Sequence, residues 1–149
     1  MRADCDVPTT GSLDYEQWEQ SVPAQLRGDP LWSFRVYRAA LYAAAIGDED
    51  ASWLSRQRRS AHRVEQLSRA VDSISANIAE GYSRGFVKER ARFYEYALGS
   101  AREARDWYYK LRRDLPDEVL VARLTLLTRI IRTPTVLIPR HRGKPLRPV

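Results

Sequence analysis

Five aliphatic side chains in the middle of this 149-residue chain recur at alternating spacings of three and four, and no other feature constrains the fold as strongly. The five are Val64, Leu67, Val71, Ile74 and Ile78. Residues three and four apart share one face of an α-helix, so the series forms the narrow apolar stripe of packed helices. It predicts a helix from Ser52 to Glu80, with Gly81 as its C-terminal stop. Arg58, His62 and Arg69 then lie on the opposite face.

Three further segments show the same periodicity. One begins at Asp29-Pro30, because aspartate caps helices and proline is tolerated at their first position, and it ends at Gly47 with the acids 48–50. Another spans Val87 to Arg113, and the last begins at Pro116 and is kinked or ended by Pro134. The stripe of the first segment is Phe34, Tyr37, Leu41 and Ala44. That of the Val87–Arg113 segment is Tyr94, Ala97, Ala101, Ala104, Tyr108 and Leu111. That of the last segment is Leu120, Leu124, Leu127 and Ile131.

Four amphipathic helices with short connections predict an all-α fold, an antiparallel up-down four-helix bundle over residues 29–138. Residues 1–28 carry many acids and little apolar content, and are predicted to form an acidic, loosely ordered N-terminal arm with no more than a short helical turn. Residues 139–149 carry several cations without an apolar period, which predicts a basic C-terminal tail.

The charge is divided unevenly along the chain. The net charge is +6, yet residues 1–50 hold 4 arginines and 9 acids (net −5), whereas residues 51–149 hold 21 Lys/Arg and 10 acids (net +11). Such asymmetry is typical of a protein with an anionic partner, most often nucleic acid. A solvated arginine-rich surface explains the same numbers equally well.

Other classes of protein find little support in the sequence. A single cysteine, Cys5, cannot form an internal disulfide, and no Cys/His set has the spacing of a metal finger. The longest apolar run, Ala39–Ile46, is eight residues, far short of a membrane helix. No secretory signal is recognisable. We therefore expect a cytoplasmic protein without a metal or a membrane contact.

Catalytic chemistry is also not indicated. The two histidines, His62 and His141, have no Ser, Cys or carboxylate partner at the spacing of a known motif. Arg102, Asp106 and Lys110 follow one another at intervals of four, which is typical of a solvated helix face. We expect a protein that is not an enzyme and that uses no cofactor.

The positions of Gly99 and Glu80 indicate that each contacts another part of the protein or a second chain. Gly99 lies in the middle of a predicted helix, opposite the apolar stripe, which suggests that another helix approaches closely on that side. Glu80 lies in the last turn of its helix, where the helix dipole disfavours an anion, so it needs a partner such as Arg84. With Asn77, it is interpreted as a polar contact at a corner between two helices.

These residues also carry a resemblance. The run Arg69–Tyr82, with its core Asn77-Ile78-Ala79-Glu80-Gly81-Tyr82, resembles bacterial four-helix-bundle proteins first noticed as reading frames in intervening sequences of large-subunit ribosomal RNA. A second block agrees in register and contains Lys88-Glu89, Arg92-Phe93, Ala97-Leu98-Gly99-Ser100 and Glu103. The signature positions are thus Asn77, Glu80, Gly81, Arg84, Gly99 and Ser100. The chain departs from the family at Phe86, where a serine or threonine cap is usual.

The resemblance implies an up-down bundle that assembles into a homopentameric ring and binds nucleic acid through basic surfaces. The fold is also similar to that of the accessory proteins of diversity-generating retroelements, which work beside a reverse transcriptase and its template RNA. A non-enzymatic, oligomeric nucleic-acid-binding protein is the leading hypothesis, and a subunit that docks a reverse transcriptase is the alternative. A purely structural oligomer is a third.

The candidate phosphate contacts are arginines of the second helix and cations of the tail: Arg56, Arg58, Arg59, Arg63, Arg69, Arg140, Arg142, Lys144 and Arg147. Trp107, Tyr108 and Tyr109 could stack on unpaired bases, but Tyr108 lies on the apolar stripe, and packing between subunits explains the other two better.

Overall fold

The structure, a computed structural model of the chain, describes residues 14–57 and 60–142, with side chains as far as Thr133. All regular elements in these ranges are helical. The α-helices are α1 (Tyr15–Ser21), α2 (Ala24–Arg27), α3 (Arg35–Arg56), α4 (Ala61–Ser83), α5 (Val87–Lys110) and α6 (Asp117–Arg142). Two short 3-10 turns, Pro30–Ser33 and Arg112–Asp114, precede α3 and α6.

The apolar stripes of α4 and α5 form the centre of the core. Every predicted stripe residue of these two helices is buried, including Leu67 and Ile74, which are fully enclosed. Three of the five predicted stripe residues on α5 are alanines, whose small side chains let the neighbouring helices approach closely. The helix pairs α4–α5 and α5–α6 therefore make the most extensive contacts, while α3 and α6 touch less.

Side-chain contacts define the directions of the long helices. The ring of His62 at the start of α4 lies 6.4 Å from that of Trp107 near the end of α5, so these two helices are antiparallel. At the end of α3, Nε1 of Trp53 donates a hydrogen bond to the carbonyl of Asp114 at 3.2 Å. The α3–α4 and α5–α6 connections therefore lie at the same end of the molecule.

The first long helix does not end where the sequence predicts. Helix α3 continues through Gly47 and the acids 48–50 to Arg56, and α4 begins only at Ala61, after Ser60, instead of at Ser52. A Cβ at Gly47 would lie 3.3 Å from Val71 and 3.6 Å from the Tyr108 hydroxyl, so this glycine permits close packing and does not break the helix. Asp29 does cap a helical turn, with Oδ1 accepting from the Leu31 N–H at 2.8 Å.

The prediction of a loose arm is wrong for residues 14–28. Helix α1 starts at the Asp14 cap, and Trp18 and Val22 are buried against the rest of the protein. The Trp18 ring lies 5.3 Å from that of Tyr42 and 6.2 Å from that of Trp32. This aromatic packing compensates for the acidic composition, which on its own favours disorder. Residues 1–13 lie outside the described ranges.

Helix α6 differs from its prediction in both length and register. It begins at Asp117, one residue after Pro116, and continues past Pro134 to Arg142, so the first residues of the predicted tail are helical. A proline within a helix weakens it by about 3 kcal/mol but need not end it when neighbouring turns are anchored, as Ile130 and Ile131 are in the core. The fully buried stripe is Val119, Arg123, Leu127 and Ile130; Leu120 and Leu124 are only half-buried.

The ends of α4 and α5 also shift. Helix α4 continues through Gly81 to Ser83, because Gly81 packs against α5 and does not act as a stop signal. A Cβ at Gly81 would lie 2.8 Å from Cε1 of Tyr94. Helix α5 ends at Lys110, before the 3-10 turn, and not at Arg113.

Candidate nucleic-acid interface

Cations gather at the end of the molecule where the α3–α4 and α5–α6 connections lie. Arg56 ends α3, Arg63 lies in the first turn of α4, Lys110 ends α5 and Arg112 begins the following turn. The first three are exposed and Arg112 is half-buried. We call these four residues the basic end. Folding thus brings together two arginines predicted as phosphate contacts and two cations that the sequence analysis had not selected.

Trp107 lies beside the basic end. Its half-buried ring has the Lys110 Nζ 4.3 Å from its centre and the His62 ring edge-on at 6.4 Å. Lys110 also pairs with Asp106 at 2.6 Å. Of the other two aromatic residues, Tyr108 is buried on the apolar stripe as predicted, whereas Tyr109 is 56% exposed.

The remaining predicted phosphate contacts do not all join this group. Arg69 lies six residues beyond Arg63 on α4, about 9 Å along the helix axis, and is exposed with Glu65 4.0 Å away. Arg58, Arg59, Lys144 and Arg147 lie outside the described residues. Arg140 and Arg142 belong to the last turns of α6, where only the backbone is described.

The described members of the two predicted groups of cations lie far apart. Helix α6 starts beside the basic end and has 26 residues, which at 1.5 Å per residue carries Arg142 about 35 Å away. Arg56 and Arg63 therefore lie far from the α6 backbone at Arg140 and Arg142.

Three of the signature residues, Glu80, Gly81 and Arg84, lie at the α4–α5 connection, away from the basic end. Glu80 pairs with Arg84, whose guanidinium lies 5.0 Å above the Phe93 ring. The carbonyl of Arg84 accepts a hydrogen bond from Nε of Arg90 at 2.5 Å. This network joins the last turn of α4 to the first turns of α5, as expected of a polar corner.

Asn77 takes a different role from the one predicted. Its Nδ2 donates to the Ser73 carbonyl at 2.8 Å, so it bonds one turn back within α4 and does not reach the corner. Gly99 faces open space: apart from its own turn of α5, no described residue has an atom within 4 Å of a Cβ built there, and Ser100 beside it is half-buried.

The sequence analysis missed a polar cluster at the centre of the core. Asp50 is fully buried, and Arg123 binds it twice, with Nε donating to Oδ2 at 2.8 Å and Nη2 to Oδ1 at 3.1 Å. The Tyr108 hydroxyl donates to the same Oδ2 at 2.7 Å. We call Asp50, Tyr108 and Arg123 the buried triad; it links α3, α5 and α6. The sequence signal was Arg123 itself, a cation four residues from both Val119 and Leu127 on an apolar stripe.

The triad favours a neutral Tyr108 and a charged Arg123. Burial, reinforced by the neighbouring Asp50 carboxylate, raises the pKa of Tyr108 well above its usual value of 10.0. Burial alone would lower the pKa of Arg123, but its hydrogen bonds to Asp50 and that residue's charge outweigh this and raise it. The gap beside the triad, lined by Ala43, Ile46 and Leu126, has no room for a water molecule. With no room for a substrate, the triad is a structural ion pair.

Metal and membrane sites are not found in the part of the chain that the structure describes. No three His, Cys, Asp or Glu side chains there are close enough together to hold a metal ion. No helix within those ranges has the length and apolar character that crossing a bilayer demands.

Comparison with known proteins gives one family. Residues 45–115 match the family model described as 23S rRNA-intervening sequence protein. A crystal structure of a protein of unknown function from the S23 ribosomal protein family, from Bacteroides thetaiotaomicron, superposes with a TM-score of 0.66 at 22% identity. The match covers 69% of this chain and 97% of that one, and at this identity it shows a shared fold. No curated protein matches the chain.

The matched segment runs from the second half of α3 to the turn before α6. It contains Arg69–Tyr82 and Lys88–Glu103, the two blocks on which the resemblance rests, together with the basic end. The resemblance is therefore confirmed to the extent that the segment 45–115 matches the model of the 23S rRNA-intervening sequence protein family.

Proposed function

We propose that this protein is a non-enzymatic nucleic-acid-binding protein, an up-down four-helix bundle that acts as an oligomer and contacts phosphates through its basic end. The observation that carries the proposal is the convergence of Arg56, Arg63, Lys110 and Arg112 from four separate elements. The name of the matched family, which refers to an intervening sequence of 23S rRNA, supports RNA as the partner.

The chemistry of the basic end suits the phosphate backbone. Arginine and lysine that neutralise phosphates release counterions, which drives binding without regard to sequence. Among the ion pairs of the described residues, only Lys110 of the four cations takes part, so three guanidinium groups remain free of carboxylates. Backbone contacts of this kind position a nucleic acid and carry little base readout.

Assembly into a ring, which the family resemblance implies to be pentameric, multiplies this effect. Five copies of a chain with net charge +6 would carry about 30 positive charges on one particle. The open face at Gly99 and the exposed Val121 (61%) support contacts between subunits. The mass of the purified particle, measured before and after nuclease treatment, tests the number of copies and the co-purifying nucleic acid together.

Paired charge variants test where the nucleic acid binds. Arg56→Gln/Arg63→Gln removes two charges from the basic end, and Lys88→Gln/Arg132→Gln removes two exposed charges near the opposite end. At fixed salt, we expect the first variant to lose about ten-fold or more in affinity for a 23S rRNA fragment. The second should lose much less. Equal losses of affinity in the two variants would show that the basic end is not the principal interface.

Docking of a reverse transcriptase is the second candidate, favoured by the apolar surface at the α4–α5 connection. Phe86 is 75% exposed, Val87 52% and Tyr82 38%, and such contiguous apolar exposure is typical of a protein contact. A reverse-transcriptase gene beside this one, and co-purification of the two proteins that Phe86→Ser abolishes, would support this role. A retained complex in Phe86→Ser would exclude this surface from the contact.

A further inference from the structure

A groove between α5 and α6 continues from the basic end along the outside of the protein. Its volume is about 350 Å³, and it is lined by Arg102, Arg105, Asp106, Tyr109 and Leu124. All but Leu124 come from α5, at positions that recur every three or four residues and so form one continuous stripe. Leu124 of α6 gives the groove an apolar side.

The side chains that line the groove carry a net positive charge. Arg102 is exposed, and Arg105 is half-buried with Nη1 3.4 Å from Oγ1 of Thr128. Neither arginine takes part in an ion pair with a described residue. Asp106, the one carboxylate in the lining, is neutralised by Lys110 at 2.6 Å. An anion that enters the groove therefore meets two guanidinium groups without a competing carboxylate.

Tyr109 supplies an aromatic surface at the end of the groove next to the basic end. Tyr109 as a residue is 56% exposed, and the Arg112 guanidinium carbon lies 4.4 Å from the centre of its ring. Nη1 of Arg112 also donates to the Tyr109 carbonyl at 2.9 Å, which fixes the guanidinium above the ring. A held cation on an exposed ring is a platform on which a flat, electron-rich group can stack.

We propose that this groove binds an unpaired nucleic-acid strand, with Tyr109 stacking on a base and Arg102 and Arg105 contacting the flanking phosphates. The proposal rests on the proposed function and adds the form of the nucleic acid. A base within a duplex is already covered by its neighbours, so an aromatic side chain on the surface selects for unpaired bases. Arg102 and Tyr109 are two helical turns apart, about 10 Å, the length of about three stacked nucleotides at about 3.4 Å each.

The test compares single-stranded and duplex ligands. Fluorescence anisotropy of the full-length protein is measured with a labelled 12-nucleotide uridine RNA, and with a labelled RNA duplex of the same length, at one fixed salt concentration. We expect Tyr109→Ala to weaken binding of the single strand about ten-fold while binding of the duplex changes less than two-fold. Tyr109→Phe keeps the aromatic ring and should bind like the wild type.

Tyr96 offers a matched control on the same helix. It is 44% exposed and also lies under a guanidinium, that of Arg92 at 5.6 Å, but it does not line the groove. Tyr96→Ala should leave both affinities unchanged, whereas Arg102→Gln/Arg105→Gln should weaken single-strand binding as Tyr109→Ala does.

The outcomes separate the two proposals. If the protein binds single strand and duplex alike, and Tyr109→Ala behaves like Tyr96→Ala, the groove does not hold an unpaired strand although the protein still binds nucleic acid. If the wild type binds neither ligand, the proposed function fails and the groove proposal fails with it.

Discussion

Arg123 shows how one side chain can override the local preferences of a distant segment. Its two hydrogen bonds to Asp50 join residues 73 apart in the sequence and place a charge pair where both partners are almost completely buried. The stretch Gly47–Asp50 has the composition of a helix end, yet α3 continues through it because the carboxylate of Asp50 has a partner inside the core.

Removal of one partner of the buried triad should be far more damaging than removal of both charges. We expect Asp50→Asn or Arg123→Met to lower the free energy of unfolding by about 3–5 kcal/mol, because each leaves the other charge buried without compensation. The double variant Asp50→Leu/Arg123→Met should recover much of the loss. Urea unfolding followed by circular dichroism measures all three, and additive losses in the double variant would contradict this role.

The two glycines of the signature should respond in opposite ways to alanine. Gly81→Ala places a methyl group 2.8 Å from the buried Tyr94 ring and should lower stability by about 1–3 kcal/mol. Gly99→Ala meets only open space and should raise the stability of the protomer by up to about 1 kcal/mol.

The Gly99 variant also reports on assembly. If a helix of a second copy packs against this face, Gly99→Ala should weaken the oligomer while the protomer becomes more stable. Thermal unfolding and the mass of the particle give the two readouts, and an unchanged mass would show that Gly99 lies outside any subunit interface.

At the scale of the helices, two carboxylates make the contact between α3 and α4 sensitive to pH. Partial desolvation of its carboxyl group, with the nearby Asp48 carboxylate as a second cause, raises the pKa of Asp72, although the residue as a whole is exposed. The folded state thus binds this proton more readily than the unfolded chain. The contribution favours folding below the unfolded pKa and is lost as the pH rises through the raised folded pKa.

Asp72→Asn should therefore raise the Tm at pH 7, and the difference from the wild type should disappear near pH 3. Asp48→Asn should give a smaller gain, because it removes only the second cause, and the double variant should gain less than the sum of the two, because either change alone relieves the repulsion. A Tm difference that does not depend on pH would exclude this electrostatic origin.

Helix α1 makes a larger contribution than its acidic composition suggests. Trp18 packs on Trp32 and Tyr42, and Trp18→Ala should lower the free energy of unfolding by about 3–5 kcal/mol. Leu26→Ala on α2 removes a side chain that is 40% exposed and should cost much less. Chemical unfolding distinguishes the two, and a small loss for Trp18→Ala would show that α1 contributes little to stability.

The sequence predicts those elements whose pattern is local. The stripe from Val64 to Ile78 is buried as expected, since spacings of three and four fix a helix face without knowledge of the rest of the chain. The prediction fails where contacts with residues far along the chain determine the structure, as at Gly47 and Trp18. In α6, the sequence favours Leu120 and Leu124 over Arg123 as core residues. A buried arginine becomes the better prediction only once its partner Asp50 is known to be buried.

The candidate interface, too, is predictable from the sequence only where its residues are close together in the chain. Arg56 and Arg63 are recognisable as basic residues near one helix start, but Lys110 and Arg112 join them only through the antiparallel packing of α4 and α5. The groove between α5 and α6 is not visible in the sequence, where Arg102, Asp106 and Lys110 look like a solvated helix face. In the folded protein Asp106 and Lys110 pair with each other, and Arg102 remains available.

For the whole molecule, the distribution of charge matters more than the total. The basic end and the last turn of α6 lie about 35 Å apart, too far for one short stretch of nucleic acid to use both on a single protomer. An assembled particle could present several basic ends together, which would make binding both tighter and more sensitive to salt.

The salt dependence of RNA binding tests the central claim most directly. We predict that log Kobs for the wild type falls linearly with the logarithm of the salt concentration, and that Arg56→Gln/Arg63→Gln reduces the slope by about 1.5 per protomer engaged. Lys88→Gln/Arg132→Gln should keep the slope of the wild type. A slope near zero for the wild type, or one that the basic-end variant leaves unchanged, would contradict the account.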